Sequence, residues 1–88
     1  MVLLEFSAEW CGPCKAQAQE LAKFKTKHPE VSVKEYRVDQ LEGQRVAELY
    51  QVSTLPSFVV LDSSGSPRGG FSGSLSVAQI EKLVQNAS

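Results

Sequence analysis

Cysteine is scarce in this chain. Among its 88 residues only Cys11 and Cys14 carry thiols, and His28 is the one histidine. A framework of several disulfides is therefore excluded. A structural zinc site usually takes four ligands, so two cysteines, one histidine and scattered carboxylates make a poor metal site. Excess charge is missing too: 9 Lys and Arg stand against 10 Asp and Glu, for a net charge of −1. Nothing in that balance argues for binding nucleic acid or an anionic membrane. No apolar run approaches the ~20 residues of a membrane-spanning helix. Glu5 interrupts the short apolar start, so no secretory signal is read there. Two cysteines confined to one motif suit a reducing compartment, and a cytoplasmic location is expected.

The residues present suffice for one compact domain over 1–88, with 42% hydrophobic composition and a modest core. No repeat, linker or low-complexity segment is seen. Val2 to Phe6 reads as a buried strand. The first helix is expected from near Cys11 to Lys27, stopped by His28-Pro29. Its inward stripe would be Cys14, Ala18, Leu21 and Phe24 or Lys25. Val31 to Val38 reads as a second strand. Asp39 to Glu42 offers a capping pattern before a short helix carrying Val46, Leu49 and Tyr50. Ser57–Leu61 and a weaker edge segment, Pro67 to Ser72, form a hairpin through Asp62-Ser63-Ser64-Gly65-Ser66. The last helix has a capping box (Ser76 with Gln79) and a hydrophobic staple (Leu75 with Ile80). The order is βαβαββα. It predicts an α/β fold with a four-stranded mixed sheet flanked by three helices, the first two strands parallel. The second strand would lie at an edge guarded by Lys34 and Arg37. Lys15, Lys23, Lys25, Lys27 and Lys34 read as a solvated face rather than a patch selecting acidic partners.

The pair sits in Trp10-Cys11-Gly12-Pro13-Cys14-Lys15, between the first strand and the first helix. A helix start leaves N–H groups unpaired and carries partial positive charge. That setting stabilises a thiolate, the nucleophile of disulfide exchange. A second cysteine two residues on can attack the mixed disulfide that the first one forms. A purely structural bridge is the alternative, but so small a loop removes little unfolded-state entropy. A redox-active dithiol is the favoured reading. Cys11 is expected on the exposed side of the junction as the nucleophile, and Cys14 deeper, as the resolving thiol. Pro13 suits a first helical turn. Glu5 lies in an apolar strand, where burial raises a carboxyl pKa towards neutrality. It would otherwise have to reach solvent.

With these residues the chain resembles the thioredoxin family. The resemblance covers Glu5-Phe6-Ser7-Ala8-Glu9 before the motif and the motif itself. It continues through Val38-Asp39-Gln40, Thr54-Leu55-Pro56-Ser57 and Gly73-Ser74-Leu75, in family order over nearly the whole chain. It implies a thioredoxin-like fold, here without the strand and helix with which the family usually begins. It implies a thiol–disulfide oxidoreductase that reduces protein disulfides, a protein-disulfide reductase without bound cofactor. Disulfide-containing client proteins and a flavoprotein disulfide reductase as electron donor are the partners implied; a monomer is expected from size. A relay or module with dedicated partners, or a non-catalytic binding module, are the alternatives.

The resemblance also implies residue roles. Leu55-Pro56 would be a cis peptide bond beside the cysteines. Trp10, Leu55, Pro56, Gly73 and Ser74 would receive the client, with Trp10, Gly12, Pro13, Lys15 and Pro56 supporting the site. Glu5 would take the proton of Cys14, where the family carries an aspartate. Three departures stand out. Glu35 lies where the family often has a lysine that partners the buried carboxylate. Gln19 replaces a frequent helix-kinking proline, and Ser7 a frequent aromatic. His28 is read as a helix-end residue.

Overall fold

The computed structural model describes Met1–Ser88. Its elements are β1 (Val2–Ser7), α1 (Gly12–Lys27), β2 (Ser32–Arg37), α2 (Leu41–Leu49), β3 (Ser57–Leu61), β4 (Pro67–Ser72) and α3 (Val77–Asn86). The four strands form one sheet in the order β2-β1-β3-β4. β1 runs parallel to β2 and antiparallel to β3, and β4 is antiparallel to β3. The expected thioredoxin-like βαβαββα order and mixed sheet are therefore found. No helix is long and apolar enough to cross a membrane.

The central position of β1 explains its composition. A strand covered on both faces needs apolar residues at consecutive positions, not alternate ones. Leu3, on one face, packs with Leu21 and Phe24 of α1, Phe58 and Val60 of β3, Leu75 just before α3 and Ile80 within it. Leu4 and Phe6, on the other, pack with Ala47 of α2. Glu5 shares the face of Leu3 by the two-residue period of a strand, and so points to the side of α1.

Three local expectations are corrected. The inward stripe of α1 is Cys14, Gln17, Leu21 and Phe24, whereas Ala18 is exposed. A polar side chain thus holds the position that hydrophobicity alone assigns to alanine. The capping pattern ahead of α2 does not form: Gln40 is the N-cap, without a side-chain hydrogen bond. Asp39 instead accepts from the Arg37 guanidinium, which also reaches Glu9 Oε2 at 2.9 Å. Finally, α2 buries Gly43 and Ala47, while Leu49 is exposed. Gly43 explains why α2 turns that face inward. A Cβ there would meet the Arg37 carbonyl oxygen at 1.9 Å, so only glycine lets α2 approach the end of β2.

The last helix matches its reading. Ser76 Oγ accepts from the Gln79 N–H at 3.2 Å and Gln79 Oε1 accepts from the Ser76 N–H at 2.9 Å. The lysine-rich region is a solvated face, with three of its five lysines in ion pairs. Lys23 bonds Glu20, Lys25 bonds Glu35 and Lys27 bonds Glu81. His28 closes α1 as expected, with Nδ1 3.1 Å from Glu30 and Nε2 2.5 Å from Glu81 of α3. Those two carboxylates raise its pKa.

Candidate active site

The tight junction from β1 into α1 places the cysteine pair. Cys11 is the N-cap of α1, with extended backbone at φ −87° and ψ 107°, and its N–H donates to the Ala8 carbonyl at 3.2 Å. Pro13 occupies the first turn, and no acidic residue does. The positive end of α1 therefore acts on Cys11 without a carboxylate to offset it, which favours a thiolate once the bridge is opened. In the structure the sulfurs of Cys11 and Cys14 are joined, with Cα atoms 5.3 Å apart.

The expected difference in exposure between the two cysteines is not observed. Each is 6% exposed, and both pack with Ala8 in a small cluster edged by Val38 and Leu55. What separates them is the direction in which each opens. Cys11 faces an open groove of about 530 Å³, lined also by Trp10, Gly12, Pro13, Val38, Ala47 and Leu55. Cys14 faces a smaller depression of about 330 Å³ shared with Glu5, Ser7, Lys15, Glu35 and Arg37. An incoming disulfide can reach one sulfur from the groove, while the other communicates with a polar, water-accessible recess.

Leu55-Pro56 is cis, as the resemblance implied. Pro56 is buried and Leu55 half-buried beside the cysteine cluster. The Pro56 carbonyl accepts from the Gly73 N–H at 2.8 Å, so the segments 54–57 and 73–75 are tied together. Gly73 has φ +124°, a region disfavoured for other residues. Ser74 beside it is exposed. Trp10 is 72% exposed, which rules out a core role and leaves its ring on the groove rim.

Glu5 is 3% exposed, so it does not escape to solvent. Burial first, and the neighbouring charge of Glu35 second, push its pKa up to about 7. Glu35 is its direct partner across the parallel β1–β2 pairing. The side chain of Glu35 lies half-exposed and bonds Lys25 Nζ at 3.3 Å. Glu35 is therefore both solvated and close enough to act on Glu5.

Several residues around the site were not found by sequence reasoning. Gln44, Glu48, Val52 and Ser53 also line the groove. They come from α2 and the turn after it, far from the motif in sequence. Gln17 is the other omission. It is 2% exposed, and the spacing of Cys14, Gln17, Leu21 and Phe24 was its only signal. No group of three or more His, Cys, Asp or Glu side chains is arranged to hold a metal ion.

The family model for thioredoxin matches residues 1–86. The chain belongs to the thioredoxin family. A thioredoxin of Mycoplasma pneumoniae is 35% identical over 83 residues, covering 94% of this chain and 78% of that protein. An H-type thioredoxin of Fagopyrum esculentum is 38% identical over 61 residues, 69% of this chain. That match spans about half of the Fagopyrum protein, 51% of its length. Among solved structures, Fasciola hepatica thioredoxin superimposes with a TM-score of 0.87 at 29% identity, covering 99% of this chain and 80% of that one. The oxidised mitochondrial thioredoxin 3 of Saccharomyces cerevisiae gives a TM-score of 0.83 at 28% identity, covering 96% and 76%.

Membership in the thioredoxin family and the Cys11–Cys14 bridge together support thiol–disulfide oxidoreductase activity. Two of the three departures from the family pattern fall on the recess side of this thioredoxin site. Ser7 and Glu35 line the depression of Cys14. Gln19 lies exposed on α1, which runs unbroken from Gly12 to Lys27.

Proposed function

We propose that the protein reduces disulfides in client proteins, with residues 1–88 working as one domain. The observation that carries this reading is the bridged pair at the start of α1, open to a groove beside the cis Leu55-Pro56 loop. The reduced Cys11 thiolate attacks a client sulfur. One client thiolate leaves and a Cys11–client disulfide forms. Glu5 takes the proton of Cys14 through the shared recess. The Cys14 thiolate then attacks Cys11 Sγ, the second client thiolate leaves, and the Cys11–Cys14 bridge remains. Two electrons have passed to the client.

The client lies across Trp10, Leu55, Pro56, Gly73 and Ser74. The Leu55 backbone offers strand-like pairing, and Gly12 and Pro13 keep the approach to Cys11 low. No bound cofactor takes part. A flavoprotein disulfide reductase restores the dithiol, and the protein works as a monomer in the cytoplasm.

The direction of electron flow is tested by equilibrating the pair in a series of glutathione redox buffers. The expected result is a midpoint well on the reducing side of the glutathione couple. A midpoint on its oxidising side would make the protein a disulfide donor and overturn the reading.

A further inference from the structure

Gln17 lies one helical turn beyond Cys14 on the inward face of α1. It is buried beside a depression shared with Glu20, Ser74, Leu75 and Gln79. Its amide is used at both ends by one distant residue. Nε2 donates to the Leu75 carbonyl at 2.8 Å, and Oε1 accepts from the Leu75 N–H at 2.7 Å. Buried amides are costly unless both ends are bonded, and here both are. The same helix makes a second stitch one turn on, where Glu20 Oε1 accepts from the Val77 N–H at 3.1 Å. On its other side the loop is anchored by the Gly73 N–H on the Pro56 carbonyl. Gly73-Ser74 is therefore a short span held at both ends, to the cis-proline loop and to the helix that carries Cys14.

We infer that Gln17 is a positioning residue for client docking: by gripping both backbone polar groups of Leu75, it fixes the Gly73-Ser74 loop relative to the cysteines. The inference rests on the reading that clients dock on that loop. Gln17 touches neither sulfur nor client in this scheme. Without its amide, the Leu75 N–H and carbonyl lose their partners, and the loop shifts to reach water. The surface that the client pairs with is displaced, while the cysteines keep their chemistry.

The test separates docking from chemistry. Gln17→Leu and Gln17→Met are compared with the unmodified protein on a folded disulfide protein and on hydroxyethyl disulfide, which is too small to use the loop. The expected result is a rise of about tenfold in KM for the protein substrate, with the rate on the small disulfide unchanged. No change on either substrate, or an equal loss on both, would overturn the inference. Ser74→Trp, which adds bulk to the loop without touching Gln17, checks the underlying reading. If it raises the protein-substrate KM while the Gln17 variants do not, the positioning role alone fails. If it has no effect, docking on the loop fails and takes the inference with it. Should neither Gln17 variant fold, amide exchange in the unmodified protein decides. Protection of the Leu75 N–H comparable to that in β3 supports the grip, and exchange as fast as that of Ser74 contradicts it.

Discussion

Cys14→Ser is expected to hold a client on Cys11 as a stable mixed disulfide and to lower turnover by about 1,000-fold or more, equivalent to ~4 kcal/mol in the barrier. The first attack needs only Cys11, which lines the groove, and the release needs Cys14, which faces the recess. Cys11→Ser should lose turnover equally and accumulate no mixed disulfide. Non-reducing electrophoresis followed by mass spectrometry of the linked peptide distinguishes the two. Accumulation through Cys14 in the Cys11→Ser protein, with none in the reciprocal variant, would reverse the assignment. Because both cysteines are equally buried in the bridged state, this order rests on which opening each sulfur faces and on its place at the helix start.

Glu5→Gln should change stability and rate in opposite directions. The carboxyl titrates at about 7 in the folded chain against 4.5 in an unfolded one. Below pH 4.5 both states are protonated, and the two proteins should differ little in this term. Between pH 4.5 and 7 the folded state keeps a proton that the unfolded state has released, so the stability of the unmodified protein falls as pH rises. Above pH 7 the loss is complete and reaches up to about 3 kcal/mol. Glu5→Gln has no such loss and should be the more stable protein there, read by urea denaturation at pH 4 and pH 8. Its resolving step should nevertheless be about tenfold or more slower near pH 7, where a general base matters most. The deficit should close at higher pH, where Cys14 ionises unaided. Glu35→Gln removes the second cause of the shift and should lower the Glu5 midpoint without abolishing it. A rate–pH profile indifferent to Glu5→Gln would remove Glu5 from the proton transfer.

The segments that the sequence spelled out most clearly were those whose local chemistry and tertiary role agree. β1 is apolar at consecutive positions because it is central. α3 writes its own start in Ser76 and Gln79. The Cys11-to-Cys14 motif carries its helix start with it. Legibility failed where a tertiary contact decided the matter. Gln17 looks like a surface residue until Leu75 is brought beside it from 58 positions away. Gly43 reads as a weak point of α2 until the Arg37 carbonyl is seen against it. Asp39 reads as a cap, but the Arg37 guanidinium competes for the same oxygens and wins with a charged donor. Part of the groove was illegible for a related reason: Ala47 and Val52 are ordinary core residues except that they line the groove with Cys11. Glu5 was readable as a buried carboxylate from its strand alone. Its neighbour Glu35 needed the β1–β2 register to give it a role.

Stoichiometry tests the reduction of client disulfides most directly. The fully reduced protein would be mixed with an equimolar disulfide-bonded client, quenched in acid, alkylated and weighed by mass spectrometry. The prediction is two client thiols for every Cys11–Cys14 bridge formed. An intact client disulfide beside two alkylated cysteines in this protein would contradict it.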